Sequence, residues 1–326
     1  MRESLPIVSV VIPTYNRGLS IVDTLDSILL NEYPNFEIIV VDQSKNDLTE
    51  TAVQKYLSNP QFKYIHTDIQ GAGRARNLGI AHAEGSLVAI TDDDCIVPVN
   101  WLQAMAEIFE KQPKVAVVIT NVEAGEHDGT KGFIPAYVRT DSMLVKTIWE
   151  KRSARGIGAS LAIRKDAITS MGGYDNNLGP GAYFPDGDDI DLATRAILKG
   201  WHVYETHEVA VVHNGFRTWQ EGKALSKRNW IGIGATYVKP LKCGYWKILS
   251  IIFYEAFYIA LLPPLWNLIR LKKPNGLKQI VFFFEGFFKG LFTPVDRETI
   301  MYVLSHNGRS PAETSTSSER ANLSAN

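Results

Sequence analysis

The sequence predicts an α/β protein with a sheet built from βαβ units. Over the first half of the chain, short apolar runs alternate with helical patterns. The first run is rich in β-branched residues and lacks the polar alternation of a strand with one wet face. Polar clusters stand directly after four of the predicted strands, where ligands collect in open parallel sheets.

The elements follow in order. Ile7–Ile12 (IVSVVI) reads as a strand covered on both faces, with Ser9 its single polar residue. Ser20 is placed to cap a helix in which Ile21, Leu25, Ile28 and Leu29 recur at helical spacing. A second strand is expected at Phe36–Val41, a helix through Asp47–Leu57 and a short strand at Phe62–His66. Gly73–Ala83 reads as helix, Leu87–Ile90 as strand, Trp101–Glu110 as helix and Val115–Thr120 as strand. At Tyr245 the character changes. Tyr245–Ile269 is almost wholly apolar, interrupted by Lys247, Glu255 and Pro263-Pro264. A second apolar stretch, Ile280–Phe292, is broken by Glu285, Gly286 and Lys289. Residues 310–326 are rich in Ser, Thr, Asn and Ala and are expected to form a disordered tail.

At 326 residues, 45% hydrophobic and 21% charged, the chain can bury a substantial core. A net charge of -1 argues against a nucleic-acid binder that works through a basic field. Two cysteines, Cys95 and Cys243, are too few for a disulfide framework and fit a reducing compartment. The run Leu5–Ile12 is short, holds Pro6 and is followed by Pro13, so it reads as a buried strand and not as a secretory signal.

The strand-end clusters are Pro13-Thr14-Tyr15-Asn16-Arg17, Asp42-Gln43-Ser44, Thr91-Asp92-Asp93-Asp94 and His213-Asn214. Any one of them could be a turn or a helix cap; four at matching positions suggest a site. Asp92, Asp93 and Asp94 repel one another, and a hard divalent cation relieves this by taking oxygen ligands. Mg²⁺ or Mn²⁺ commonly bridges such carboxylates to substrate phosphates. A second acidic group, Asp188, Asp189 and Asp191 after Gly187, opens a helix with Leu192, Ala196 and Ile197 on its inner face. The helix dipole alone would favour acids there, and Asp191 is expected to serve it. Phe184-Pro185 sets the acids on a turn. Gly71-Ala72-Gly73 hints at a dinucleotide fingerprint, but Arg76 stands where a small residue is needed.

Taken together, VSVVIPTYNR (Val8–Arg17), VVDQS (Val40–Ser44), GRARNLGIAHAEG (Gly73–Gly85) and TDDDC (Thr91–Cys95) resemble the nucleotide-binding half of family 2 glycosyltransferases. The resemblance continues through Gly158–Asp175, Gly187–Trp201 and VVHNG (Val211–Gly215), and so covers about residues 5 to 220. It implies a GT-A fold with a mixed, mainly parallel sheet. It also implies roles for individual residues. Thr14 and Tyr15, with Pro13 and Arg17, would lie along the nucleotide, with Asp42 near its base or ribose. Gln43 stands where many relatives carry a second acid, and its amide both donates and accepts. Arg76 would sit by the nucleotide, as would Asp93. Asp92 would lie near the ribose and share the metal site with Asp94, and His213 would complete the metal shell. Asp189 would be the catalytic base, with Asp188 beside it. Gly172-Gly173-Tyr174-Asp175 would form a turn shaping the acceptor pocket.

The expected function is inverting transfer of a sugar from a nucleotide-diphosphate sugar, UDP ahead of dTDP or GDP, to an acceptor hydroxyl. Mg²⁺ or Mn²⁺ is the expected cofactor, and the acceptor a glycan or lipid-linked species in cell-surface polysaccharide or glycolipid synthesis. The expected organisation is a transferase domain over 1–235, with donor half 1–120 and acceptor half 121–235, then an apolar membrane-associating region over 236–300. Cations flank that region on both sides, with Lys239, Lys242 and Lys247 before it and Arg270, Lys272 and Lys273 after. A single span would leave one group outside, so interfacial helices or a re-entrant hairpin on the cytoplasmic face are expected. A non-catalytic nucleotide-sugar-binding or scaffold protein is the alternative; loss of the metal or base carboxylates would mark it, and both sets are present.

Overall fold

The computed structural model describes residues 5–304 apart from Asn275; the expected tail lies outside them. The chain opens with β1 (Val8–Thr14), α1 (Ile21–Leu29), β2 (Phe36–Asp42), α2 (Leu48–Val53) and β3 (Phe62–His66). It continues with α3 (Ala72–His82), β4 (Leu87–Thr91), β5 (Cys95–Ile96), α4 (Trp101–Lys111) and β6 (Val115–Ala124). The middle holds β7 (Gly132–Phe133), β8 (Met143–Val145), α5 (Ile148–Lys151), β9 (Ser160–Arg164), α6 (Lys165–Ser170) and α7 (Asp188–Leu198). Then come β10 (His202–His213), β11 (Arg217–Thr218) and the long α8 (Trp219–Lys242).

One mixed sheet organises these elements in the order β3-β2-β1-β4-β9-β6-β10-β5, with β8 also on β10. β1, β2, β3 and β4 pair in parallel, as crossover helices require. β9 runs antiparallel to both β4 and β6, and β10 returns parallel to β6. β2 is buried along its whole length and β1 nearly so, which explains their unbroken apolar sequences. Two apolar clusters sandwich the sheet. One sets Val11, Ile39, Ile90 and Leu161 against α3 and α7, and the other sets Val10, Ile12, Val40 and Val118 against α1 and α4.

Ser20 does not cap α1. Its backbone is helical (φ -64°), within a 3₁₀ turn at Gly18–Ser20, and its hydroxyl donates to the Arg17 carbonyl at 2.8 Å. An N-cap needs an extended backbone to aim its side chain at the first amides, so this one cannot serve.

The apolar C-terminal region is helical. Trp246–Ile269 runs through α9 (Leu249–Phe253), a π-helical stretch (Tyr254–Leu261) and α10 (Leu262–Ile269); α11 (Leu277–Phe292) follows. Trp246–Ile269 has mean hydropathy 1.8 and is only 28% buried over its most apolar window. It is long and apolar enough to cross a membrane, by length and composition. α11 packs along α8, and a methyl group at Gly286 would meet the Ile231 carbonyl. The glycine that interrupts the apolar stretch therefore permits a close helix crossing.

Candidate active site

The carboxyl ends of β1, β2, β4 and β10 converge on one side of the sheet, and the N-terminus of α7 faces them. Between them lies a cleft of about 570 Å³. Pro13, Thr14, Tyr15, Arg17, Gln43, Arg76, Asp92, Asp93, Asp94, Asp188, Asp189 and His213 all line it. Asp42 does not. It is fully buried at the end of β2, where it accepts hydrogen bonds from the Ser44 amide and the Tyr64 hydroxyl, both at 2.8 Å. The turn Gly172–Asp175 is also off the cleft wall.

On the sheet side the carboxylates are crowded. Arg17 bridges Asp93 (Nε–Oδ1 3.2 Å) and Asp94 (Nη2–Oδ2 2.9 Å). Burial nevertheless pushes the Asp93 carboxyl up to about 7 against the pull of Arg17. Burial also acts to raise Asp94, but the His213 ring and Arg17 outweigh it, and its carboxyl is held below the ordinary range. His213 Nδ1 lies 2.9 Å from the Pro135 carbonyl, to which it donates in the tautomer that turns Nε2 towards Asp94. Nε2 is 3.2 Å from Asp94 Oδ1, and a protonated ring would pair with that buried, otherwise unpartnered oxygen.

An orphan carboxylate oxygen facing an imidazole nitrogen, with the other ring N–H held by a carbonyl, is a donor pair suited to a divalent cation. Cys95 Sγ lies within the same group, all of it inside 4.8 Å, but burial drives its thiol well above the ordinary range and keeps it protonated. A soft, protonated sulfur leaves the oxygen and nitrogen donors as the fitting ligands for Mg²⁺ or Mn²⁺.

On the opposite wall, Gly187 enters α7 with φ +97°, a conformation that suits glycine, and Asp188 and Asp189 open the helix. Arg76 reaches across from α3. Its Nη1 pairs closely with Asp188 Oδ2 and stands 3.9 Å from Asp189 Oδ1, while Nη2 is 3.6 Å from Asp92. Asp188 is thus compensated. Asp189 is not: its side chain is 22% exposed and its Oδ1 has no hydrogen-bond partner. Burial, then the charge of Asp188, raise its proton affinity well above the usual carboxylate range despite Arg76. Gly158 lies flat against this carboxylate, with no room for a methyl group.

Asp191 does more than serve the helix dipole. It is fully buried, accepting from Arg195 Nε at 2.8 Å and lying 2.7 Å from Lys239 Nζ, which also holds Asp175. Sequence reasoning missed Asp186, Arg217, Leu225, Arg228 and Asn229 on the cleft wall. Leu225, Arg228 and Asn229 share the i, i+3, i+4 face of α8, a periodicity indistinguishable in sequence from packing.

Residues 9–168 match glycosyl transferase family 2. The chain is 28% identical over 288 residues to glycosyltransferase AglE of Haloferax volcanii, covering 86% of each. It spans under half the length of several other curated relatives. Among solved structures it is similar to the mannosyltransferase PcManGT from Pyrobaculum calidifontis, determined with GDP-Man and Mn²⁺ (TM-score 0.63, 20% identity, 89% and 88% of the two chains). It is also similar to residues 1–349 of TarS from S. aureus, determined with UDP-GlcNAc (TM-score 0.59, 16% identity, 87% and 81%). The fold is GT-A, and the mixed, mainly parallel sheet is as expected.

Proposed function

We propose, from the premise that the chain belongs to glycosyl transferase family 2 and is a glycosyltransferase, that it moves a sugar from a nucleotide-diphosphate sugar to an acceptor hydroxyl with inversion. The observation that carries this is Asp189: a cleft-facing carboxylate with an unpartnered oxygen and raised proton affinity, across the cleft from Asp94 and His213. A base must be ionised yet keen to take a proton, and partial burial beside Asp188 provides that balance.

Pro13, Thr14, Tyr15, Arg17 and Gln43 form the proposed nucleotide slot. The Thr14 hydroxyl is buried beside Asp93 and would steady that carboxylate at the end of the slot. Gln43 donates its amide N–H groups to the Ile69 and Gly71 carbonyls, which leaves its carbonyl oxygen to accept from the base. Asp42 would act from beneath by holding Ser44 and Tyr64, and Asp92 would face the ribose with Asp93 beside it. Asp94 and His213, with Asp92 nearby, would hold Mg²⁺ or Mn²⁺. When bound, that cation offsets the charge that builds on the diphosphate leaving group.

Arg76 would keep Asp188 ionised and in place, leaving Asp189 to accept the acceptor's proton. The acceptor oxygen then bonds to the anomeric carbon as the bond to the diphosphate breaks, and the nucleoside diphosphate departs. One displacement from the opposite face inverts the configuration. The donor half would be 1–120 and the acceptor half 121–235, with 236–300 lying on the cytoplasmic face of a membrane. The acceptor would be a glycan or lipid-linked glycan of the cell surface, and a UDP-sugar the donor.

The test is to incubate the protein with UDP-glucose, UDP-GlcNAc, dTDP-glucose and GDP-mannose, each with Mg²⁺ and Mn²⁺, and to read the product's anomeric configuration by NMR. An opposite configuration to the donor's is expected. Retention would sink the direct displacement, and nucleotide binding without turnover of any donor would favour a non-catalytic binding protein.

A further inference from the structure

The apolar helical region is tied to the cleft at one charged contact. Glu255, in the π-helical stretch, is buried inward and not turned to solvent. It forms a bidentate pair with Arg155, Nη1–Oε1 2.7 Å and Nη2–Oε2 3.0 Å. Such a fork fixes direction as well as distance. A π-helical turn widens the helix and is uncommon in a helix without a functional reason.

Arg155 begins the segment that ends at the proposed base. The next residue, Gly156, donates its amide to Glu205 Oε1 at 2.8 Å, and Glu205 is itself buried and holds the Tyr137 hydroxyl at 2.7 Å. Ile157, Gly158 and Ala159 then line the cleft, and Gly158 abuts both carboxylate oxygens of Asp189. Residues 155–158 are therefore held by Glu205 from the sheet, by the Tyr137 hydroxyl, which accepts from the Arg155 amide at 3.2 Å, and by Glu255 from the apolar helix. Nothing in the proposed chemistry uses any of these contacts directly.

We infer that Arg155 and Glu255 are a positioning pair, through which the apolar helix holds the Gly156–Gly158 wall against Asp189 and so sets the base's place in the cleft. This rests on the reading of Asp189 as the base. It makes the helical region a working part of the catalytic domain and not only an anchor, and it explains an acid inside an otherwise apolar stretch. Removing Arg155 leaves Glu255 buried and unpaired, and removing Glu255 frees the partly exposed Arg155 from its fork, so the wall should loosen even where the fold survives.

The test uses the full chain with Glu255→Gln, Arg155→Gln and the double variant, beside Asp189→Asn. Amide hydrogen exchange at residues 156–159 should quicken at least about tenfold in each single variant, from loss of local protection. UDP affinity with Mn²⁺ should stay within about twofold. The turnover rate, on whichever of the four donors is active, should fall about tenfold or more, with the KM for donor unchanged. The double variant should lose no more than either single one, since both remove the same contact. Unchanged exchange at 156–159, or faster exchange with full turnover, would overturn the inference. Should Glu255→Gln unfold the chain, the Arg155→Met, Glu255→Leu pair replaces the ion pair by apolar packing. Full turnover in that folded variant would also overturn it. If Asp189→Asn stays active while exchange at 156–159 quickens, the reading of the base has failed and the pinning has not.

Discussion

Asp191 and Asp189 are two residues apart on one helix and have opposite surroundings. Asp191 lies in a fully buried cluster with Arg195, Lys239 and Asp175, while Asp189 faces the cleft without a donor on Oδ1. Asp191→Asn should therefore lower stability by about 3 kcal/mol, by leaving buried cations under-compensated. Thermal unfolding would show the shift, and an unchanged melting temperature would contradict it. The sequence distinguished these acids only by family resemblance, because both favour a helix start equally. The strand-end residues were legible because their positions follow directly from the strand boundaries. Asp42 shows the limit: its place at a strand end was readable, but its engagement by Tyr64 comes from β3 and no local pattern encodes that. Asp94 carries the metal prediction. Asp94→Ala should abolish any cation-dependent gain in nucleotide affinity while far-ultraviolet circular dichroism stays unchanged; undiminished UDP binding in the presence of chelator would count against the site.

At the scale of elements, the parallel strands were read nearly to the residue, since unbroken β-branched runs are what a strand covered on both faces needs. The expected Val115–Thr120 is longer in the structure, β6 reaching Ala124, because β10 and Tyr137 pair with its far end. β9 was left unassigned and β10 was read only at its end, before His213-Asn214, for their partners are antiparallel or distant and leave little local signal. The helical nature of the apolar region was legible, but its packing was not: Gly286 marks a crossing with α8, and Glu255 points to Arg155. Its outward side exposes Trp246, Phe253, Trp266, Ile269 and Leu271, a surface too apolar to stand in water without cause. The protein should sediment with membranes and resist high-salt and carbonate washing. Full release by either wash would instead favour a soluble helix pair.

Across the whole molecule, the sheet, α7 and the turn before it bring six acids onto the walls of one cleft, and two cationic side chains, Arg17 and Arg76, pair with four of them, Asp93 and Asp94 with the first and Asp92 and Asp188 with the second. That arrangement separates the roles: Asp94 is held ionised, whereas Asp189 is pushed towards protonation by burial and Asp188. A base works only when deprotonated, so turnover should be present at alkaline pH and fall on acidification through an ionisation above the ordinary carboxylate range. The central claim is that Asp189 takes the acceptor's proton. Its most direct test measures UDP affinity with Mn²⁺ and sugar transfer in Asp189→Asn, across pH. Asn keeps the shape but cannot accept the proton, so affinity should hold within about twofold while transfer falls by about 10²-fold or more and the acidic limb disappears. Transfer near the wild-type rate, or an acidic limb that persists unchanged in the variant, would contradict it.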